Sequence, residues 1–159
     1  MTKINPAVAG LKIIIVVGPT ASGKSDLAIK IAEKFNGEII SADSRQVYTG
    51  LNIGSGKVSK DSIRNFQSNS KSKISNNQYY SSGIRHHLVD IISPKRQFTA
   101  DDFRKLGQKA IDDILSRNKV PIITGGTGFY IDVLLGRMAV AEVPPNPKLR
   151  KRFDKLSAE

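Results

Sequence analysis

Residues 18–25 read Gly-Pro-Thr-Ala-Ser-Gly-Lys-Ser, and no other stretch of the chain limits the fold so strongly. Two glycines at this spacing, followed by a lysine and a hydroxyl residue, describe a loop that wraps backbone N–H groups around phosphate when a strand leads in and a helix leads out. Both flanks meet that condition. Residues 11–17 are a continuous apolar, β-branched run, the pattern of a parallel strand buried on both faces. After Lys24, the apolar residues Leu27, Ala28, Ile31, Ala32 and Phe35 recur at the spacing of one helix face, and Asn36-Gly37 ends the helix. The expected ligand is a diphosphate, free or part of a nucleotide, held by Gly18, Pro19, Thr20, Ala21, Ser22, Gly23, Lys24 and Ser25. Lys24 neutralises its charge, and the Ser25 hydroxyl is placed to ligate Mg²⁺.

The pattern then repeats in altered form. Residues 38–41 read as a second strand, and residues 43–54 as a loop leaving its carboxyl end. From 59 to 83 the composition turns to serine, asparagine and lysine with few large apolar side chains, which predicts a mobile insertion. Residues 88–92 form an expected third strand, and Thr99 with Asp102 three residues on is a capping pair for the next helix. Phe103, Leu106, Ala110, Ile111, Ile114 and Leu115 carry that helix's apolar face, residues 120–124 a further strand, and Gly125-Gly126-Thr127-Gly128 opens a helix over 129–135. Strands alternating with helices predict an α/β fold, a P-loop NTPase-like parallel sheet with helices on both faces. Beyond Gly136 the periodicity weakens, and Pro144-Pro145-Asn146-Pro147 leads into a basic helical segment, 148–156. The expected organisation is a core over 1–136, interrupted at 59–83, and the beginning of a helical insertion over 137–159.

Bulk properties narrow the partners. The 159 residues carry a net charge of +11 and are 39% hydrophobic. Such a charge attracts polyanions over many ångströms, and nucleic acid is the commonest. No apolar run approaches the ~20 residues of a membrane helix, no signal-peptide pattern opens the chain, and no cysteine is present for disulfides or thiolate metal sites. A cytoplasmic protein without a membrane partner is expected.

Among candidate reacting groups, Asp43 leads. It follows a strand next in sequence to the phosphate-binding loop, where ligands of such sheets sit. A carboxylate there can bind Mg²⁺ or take a proton from a nucleophile, and it can equally well end the strand as an Asx-turn. Thr127 lies at the same sheet edge, in a glycine run where a hydroxyl and exposed N–H groups can meet phosphate or substrate. Residues 120–124 end in threonine rather than an acid, which argues against a motor ATPase; Asp90 is the weaker acidic alternative. His86-His87 point to opposite faces of a strand and lack an acidic cluster to complete a metal site, so structural or surface roles are expected. Lys148, Arg150, Lys151, Arg152 and Lys155 suit nucleic-acid phosphates or a solvated helix face.

Three blocks, Gly-Pro-Thr-Ala-Ser-Gly-Lys-Ser at 18–25, Ser-Ala-Asp-Ser-Arg-Gln-Val-Tyr at 41–48 and Gly-Leu-Asn-Ile-Gly-Ser-Gly-Lys at 50–57, together resemble the tRNA dimethylallyltransferase family. The blocks at 86–91, 98–103 and 125–131 extend the likeness in the same order, over about residues 11–153. The resemblance implies transfer of a dimethylallyl group from its diphosphate to N6 of an adenosine beside the tRNA anticodon, with release of diphosphate. It implies Asp43 as the general base, with Thr127 beside it in the catalytic site. It also implies tRNA contacts at Asp43, Ser44, Arg45, Gln46, Thr127 and Arg150, a prenyl diphosphate site at Thr20 to Ser25, and Mg²⁺ as cofactor. A monomer acting on tRNA and dimethylallyl diphosphate is the expectation. Adenylate isopentenyltransferase, a small P-loop kinase and an inactive RNA-binding fragment are the alternatives. The chain departs from the family where Gly54-Ser55-Gly56-Lys57-Val58 replaces the usual Gly-Thr-Ala-Lys-Pro, and where 59–83 replaces a shorter linker. Family members are also longer, so a fragment is expected.

Overall fold

The computed structural model describes residues 13–61, 78–140 and 146–156. Five strands form one sheet: β1 (Ile14–Val17), β2 (Gly37–Ser41), β3 (Tyr79–Ser81), β4 (Ile84–His87) and β5 (Val120–Gly125), in spatial order β1-β5-β2-β4-β3. β1, β5, β2 and β4 are parallel, while β3 is an antiparallel edge added by a tight turn to β4. The helices are α1 (Lys24–Phe35), α2 (Ala100–Ser116), α3 (Gly128–Leu134) and α4 (Pro147–Asp154).

Alternation along the central strands sorts the core into two layers. Ile39 and Ile122 face one side and pack with Val16 and with Ala28 and Ala32 of α1. Ile40 and Ile123 face the other and pack with Phe103, Ile111 and Ile114 of α2 and with Ile131 and Leu134 of α3. Tyr130 stacks on Phe103 with ring centroids 4.6 Å apart, which locks α3 against α2. Helices thus cover both faces, and both βα loops that carry candidate residues emerge at the carboxyl edge.

The helix ends follow local chemistry. Thr99 and Asp102 make the reciprocal capping box that opens α2. Asn36, rather than Gly37, supplies the left-handed residue that closes α1, with φ 52°, so β2 begins at Gly37. α4 begins at Asn146, whose side chain accepts from the Leu149 N–H, with Pro147 in the first turn.

Three expectations need correction. Residues 88–92 are not a strand: β4 lies upstream, and Leu88 (φ 60°) and Asp90 (φ 55°) take left-handed conformations that end it. The apolar side chains of Leu88 and Val89 are buried all the same, because this segment packs on the turn after β2, with the Ile91 and Ile92 N–H groups bonded to the Val47 carbonyl. β1 is not buried on both faces. It occupies the sheet edge, with Val16 buried but Val17 62% exposed. Finally, the expected insertion 59–83 contains β3 and its turn at 82–83; residues 62–77 lie outside the described residues.

Candidate functional site

The glycine loop at 18–25 leads into α1 through Gly23, which holds φ 78° as a left-handed N-cap without a side chain to satisfy the first-turn N–H groups. A serine or aspartate cap would fill those donors; here they stay open to an anion. The Lys24 ammonium donates to the Pro19 carbonyl of its own loop and, at 3.4 Å, to the Ser22 hydroxyl. The Ser25 hydroxyl makes no hydrogen bond among the described residues.

Asp43 follows β2. Its Oδ1 accepts from the N–H groups of Arg45 (2.8 Å) and Gln46 (3.3 Å), forming the Asx-turn weighed from sequence, while Oδ2 makes no hydrogen bond among the described residues. The turn therefore fixes the carboxylate without consuming it. The segment after β5 holds the turn from the other side. The Thr127 hydroxyl accepts from the Ser44 N–H at 3.1 Å, the Thr127 N–H donates to the Ala42 carbonyl at 3.1 Å, and the Ala42 N–H donates to the Thr124 carbonyl at 2.8 Å. A β-carbon on Gly125 would sit 2.2 Å from the Ala42 carbonyl oxygen, so only glycine admits this approach.

Gln46 ties down a third segment. Its Oε1 accepts from the Ser41 hydroxyl at 2.8 Å, and its Nε2 donates to the carbonyls of Gly56 (3.0 Å) and Ser55 (3.4 Å). The loop is anchored again where the buried Lys57 ammonium meets Asp90 at 2.5 Å and the Tyr48 carbonyl at 2.7 Å. Asp90 is thus engaged in a structural ion pair.

These segments enclose one cleft of about 590 Å³. Thr20 through Ser25, Asp43 through Gln46 and Thr127 all line it, so the glycine loop and the candidate base share a cavity. Arg150 is exposed on α4 and does not line it. His86, Thr124 and Ser55 do line it, which sequence inspection missed. His86 reads as an ordinary strand histidine, and only the register, which sets Ile39 beside His86 and Ser41 beside Thr124 on one sheet face, reveals the shared wall.

His87 points to the other face, as expected. An acidic cluster does form around it: Glu38 and Asp113 offer carboxylate oxygens that lie with a His87 ring nitrogen within 4.8 Å of one another. Cations already fill it, since the Arg117 guanidinium reaches both Glu38 and Asp113 and Lys119 reaches Glu38 at 2.9 Å. Burial pushes the Glu38 carboxyl up, but hydrogen bonds from Arg117, His87 and Lys119 outweigh it and hold the group well below the usual carboxylate range. The set is a salt-bridge network at the opposite end of β2 from Asp43.

With that geometry in place, comparison with known proteins is decisive. Residues 46–159 match the family model described as IPP transferase, and residues 11–78 match that described as isopentenyl transferase. The chain belongs to the IPP transferase family. A protein named tRNA dimethylallyltransferase from Oceanobacillus iheyensis is 40% identical over 147 residues, 92% of this chain and 41% of the relative. The crystal structure of a tRNA isopentenylpyrophosphate transferase from Staphylococcus epidermidis is 38% identical with TM-score 0.62, over 92% of this chain and 42% of that one. A eukaryotic dimethylallyltransferase described as acting on tRNA is 30% identical with TM-score 0.64, over 92% and 32%. The chain spans about two fifths of the length of the curated IPP transferase relatives it matches.

Proposed function

We propose that the protein transfers a dimethylallyl group from dimethylallyl diphosphate to N6 of an adenosine beside the anticodon of tRNA, releasing diphosphate. The observation that carries this is the shared cleft, whose lining holds an uncapped helix N-terminus with Lys24 and Ser25 and a carboxylate with one oxygen unbonded among the described residues. The first group suits a departing diphosphate; the second suits a proton.

An aromatic amine is a weak nucleophile because its lone pair is delocalised. In the proposed reaction the N6 lone pair attacks C1 of the prenyl group, the C1–O bond breaks with its electrons leaving on diphosphate, and the N6 proton passes to Asp43. Backbone N–H groups of residues 20–25 and the Lys24 ammonium stabilise the charge that grows on the leaving oxygen. Thr127 holds the Asp43 turn in place through Ser44. A divalent ion fits the unengaged Ser25 hydroxyl and, when bound as Mg²⁺, supplies further neutralisation of the diphosphate. Arg45 and Arg150, with the basic face of α4, are assigned to tRNA phosphates, and residues 137–159 to the start of a helical tRNA-binding portion following a core over 1–136. Among the described residues, no helix is long and apolar enough to cross a membrane; we assign a cytoplasmic monomer.

Incubation with labelled dimethylallyl diphosphate, Mg²⁺ and bulk tRNA, beside AMP and ATP plus a hydroxyl acceptor, tests the proposal. Label appearing in tRNA supports it. Label in AMP alone, or ADP release with no label transfer, overturns it in favour of an adenylate isopentenyltransferase or a kinase respectively.

A further inference from the structure

Among the described residues, three buried side-chain polar atoms lack a hydrogen-bond partner: Ser55 Oγ, His86 Nε2 and Thr124 Oγ1. All three belong to the wall of the one cleft just described, yet they come from three separate elements, the loop after β2, β4 and β5. Their residues are only 7%, 7% and 8% exposed. Folded proteins rarely leave such atoms unpaired, because each forfeits its hydration without compensation. Their concentration on one wall points to a group that arrives from outside.

We propose that Ser55, His86 and Thr124 form a hydrogen-bonding wall that reads the edge of the acceptor adenine. This rests on the prenyl-transfer reading and names which residues recognise the acceptor base. The chemistry of the wall selects among the three parts of the two substrates. A prenyl group has no polar atom to offer. A diphosphate needs cations, and the ones that line the cleft, Lys24 and Arg45, are not among these three residues. An adenine is uncharged and presents ring acceptors beside an amino donor, which matches two hydroxyls and an imidazole. Burial, with a smaller push from His87, lowers His86 to about 4, so at neutral pH the ring is uncharged, with one nitrogen donating and one accepting. On β2, Ser41 stands beside Thr124 and Ile39 beside His86, and β5 and β4 flank β2 on opposite sides, so the two polar positions are offset by roughly 7 Å along the strands and roughly 10 Å across them. Asp43 lies two residues beyond Ser41, at the end where N6 must lie.

The experiment titrates the chain with inorganic pyrophosphate and Mg²⁺ and then with adenosine or inosine, following backbone amides and the His86 ring nitrogens by NMR. Adenosine is expected to shift Nε2 of His86 and to bind roughly tenfold more tightly than inosine, which lacks the amine. Thr124→Val and Ser55→Ala are each expected to weaken adenosine roughly tenfold while leaving pyrophosphate affinity within about twofold. If pyrophosphate perturbs residues 20–25 but adenosine leaves His86 unmoved in the unmodified chain, the wall does not read adenine, and prenyl transfer stands without it. Equal binding of adenosine and inosine overturns the inference too. If pyrophosphate also fails to bind, both readings fall. The unmodified chain gives these results even if a variant misfolds.

Discussion

The Thr127 hydroxyl accepts a hydrogen bond from the Ser44 backbone N–H at 3.1 Å, joining segments 83 residues apart in sequence at the turn that presents Asp43. A threonine that looks like a substrate contact thereby also supports the candidate base. Thr127→Val keeps the shape and leaves the Ser44 N–H without its partner. The expected result is a drop in kcat of about tenfold, with prenyl donor affinity within about twofold, because the loosened turn disturbs proton removal and not the diphosphate cradle. Pre-steady-state transfer assays beside donor titrations separate the two.

Lys24 is the one ammonium in the phosphate loop. Lys24→Ala removes charge-assisted hydrogen bonds worth about 1.5–3 kcal/mol, so pyrophosphate affinity should fall by roughly ten- to a hundredfold. Calorimetric titration checks it. Affinity for RNA should change little, because the basic residues of α4 are untouched.

Gly125 marks the closest approach between β5 and the end of β2. Gly125→Ala drives a methyl group into the Ala42 carbonyl, which backbone must relieve. A loss of about 3 kcal/mol is expected, at the upper end for overpacking, seen as a lowered urea midpoint. Any folded fraction should transfer poorly, since the shift displaces both Thr127 and Asp43.

How much of this was readable in advance follows from the range of the interactions. The loop at 18–25, α1, the capping box at Thr99 and Asp102, and β5 were legible because each is encoded by neighbours within a few residues. The segment 88–92 misled because apolar side chains do not by themselves make a ladder: Leu88 and Val89 are buried, while pairing amounts to one isolated bridge from Ile92 to Tyr48, formed across more than forty residues of chain. Tyr79 and Tyr80 form a strand within a stretch whose overall composition is polar, which averaging conceals. That Asp43 and Thr127 would stand together at the carboxyl edge of the sheet was legible from their positions after strands. The place of His86 in the same cleft was not, because it depends on which residue lies beside it on β2.

Two buried groups predict how stability responds to acid. Glu38 has a lowered folded pKa, so its contribution is full above the ordinary carboxylate range and declines as pH falls through that range toward the folded value. Glu38→Gln should cost about 2–3 kcal/mol at pH 7, less than for a fully buried pair because Arg117 and Lys119 are each a third exposed, and the difference should shrink below about pH 4. His86 is also lowered, from 6.5 to about 4, and for a base this means that the unfolded chain takes up the proton first. The native state therefore loses about 3 kcal/mol on acidification from pH 7 to pH 4, and His86→Gln should flatten that part of the profile. Urea titrations at stepped pH measure both.

The central claim is that one cleft combines a diphosphate cradle with a carboxylate base. Asp43→Asn retains the turn-forming Oδ1 and removes the proton acceptor. Single-turnover prenyl transfer to tRNA, measured beside pyrophosphate affinity in the same preparation, tests the claim most directly. The account predicts transfer slowed by about 10²–10⁴-fold with pyrophosphate affinity within about twofold. Transfer within a few-fold of the unmodified protein would contradict it, as would parallel loss of transfer and pyrophosphate binding.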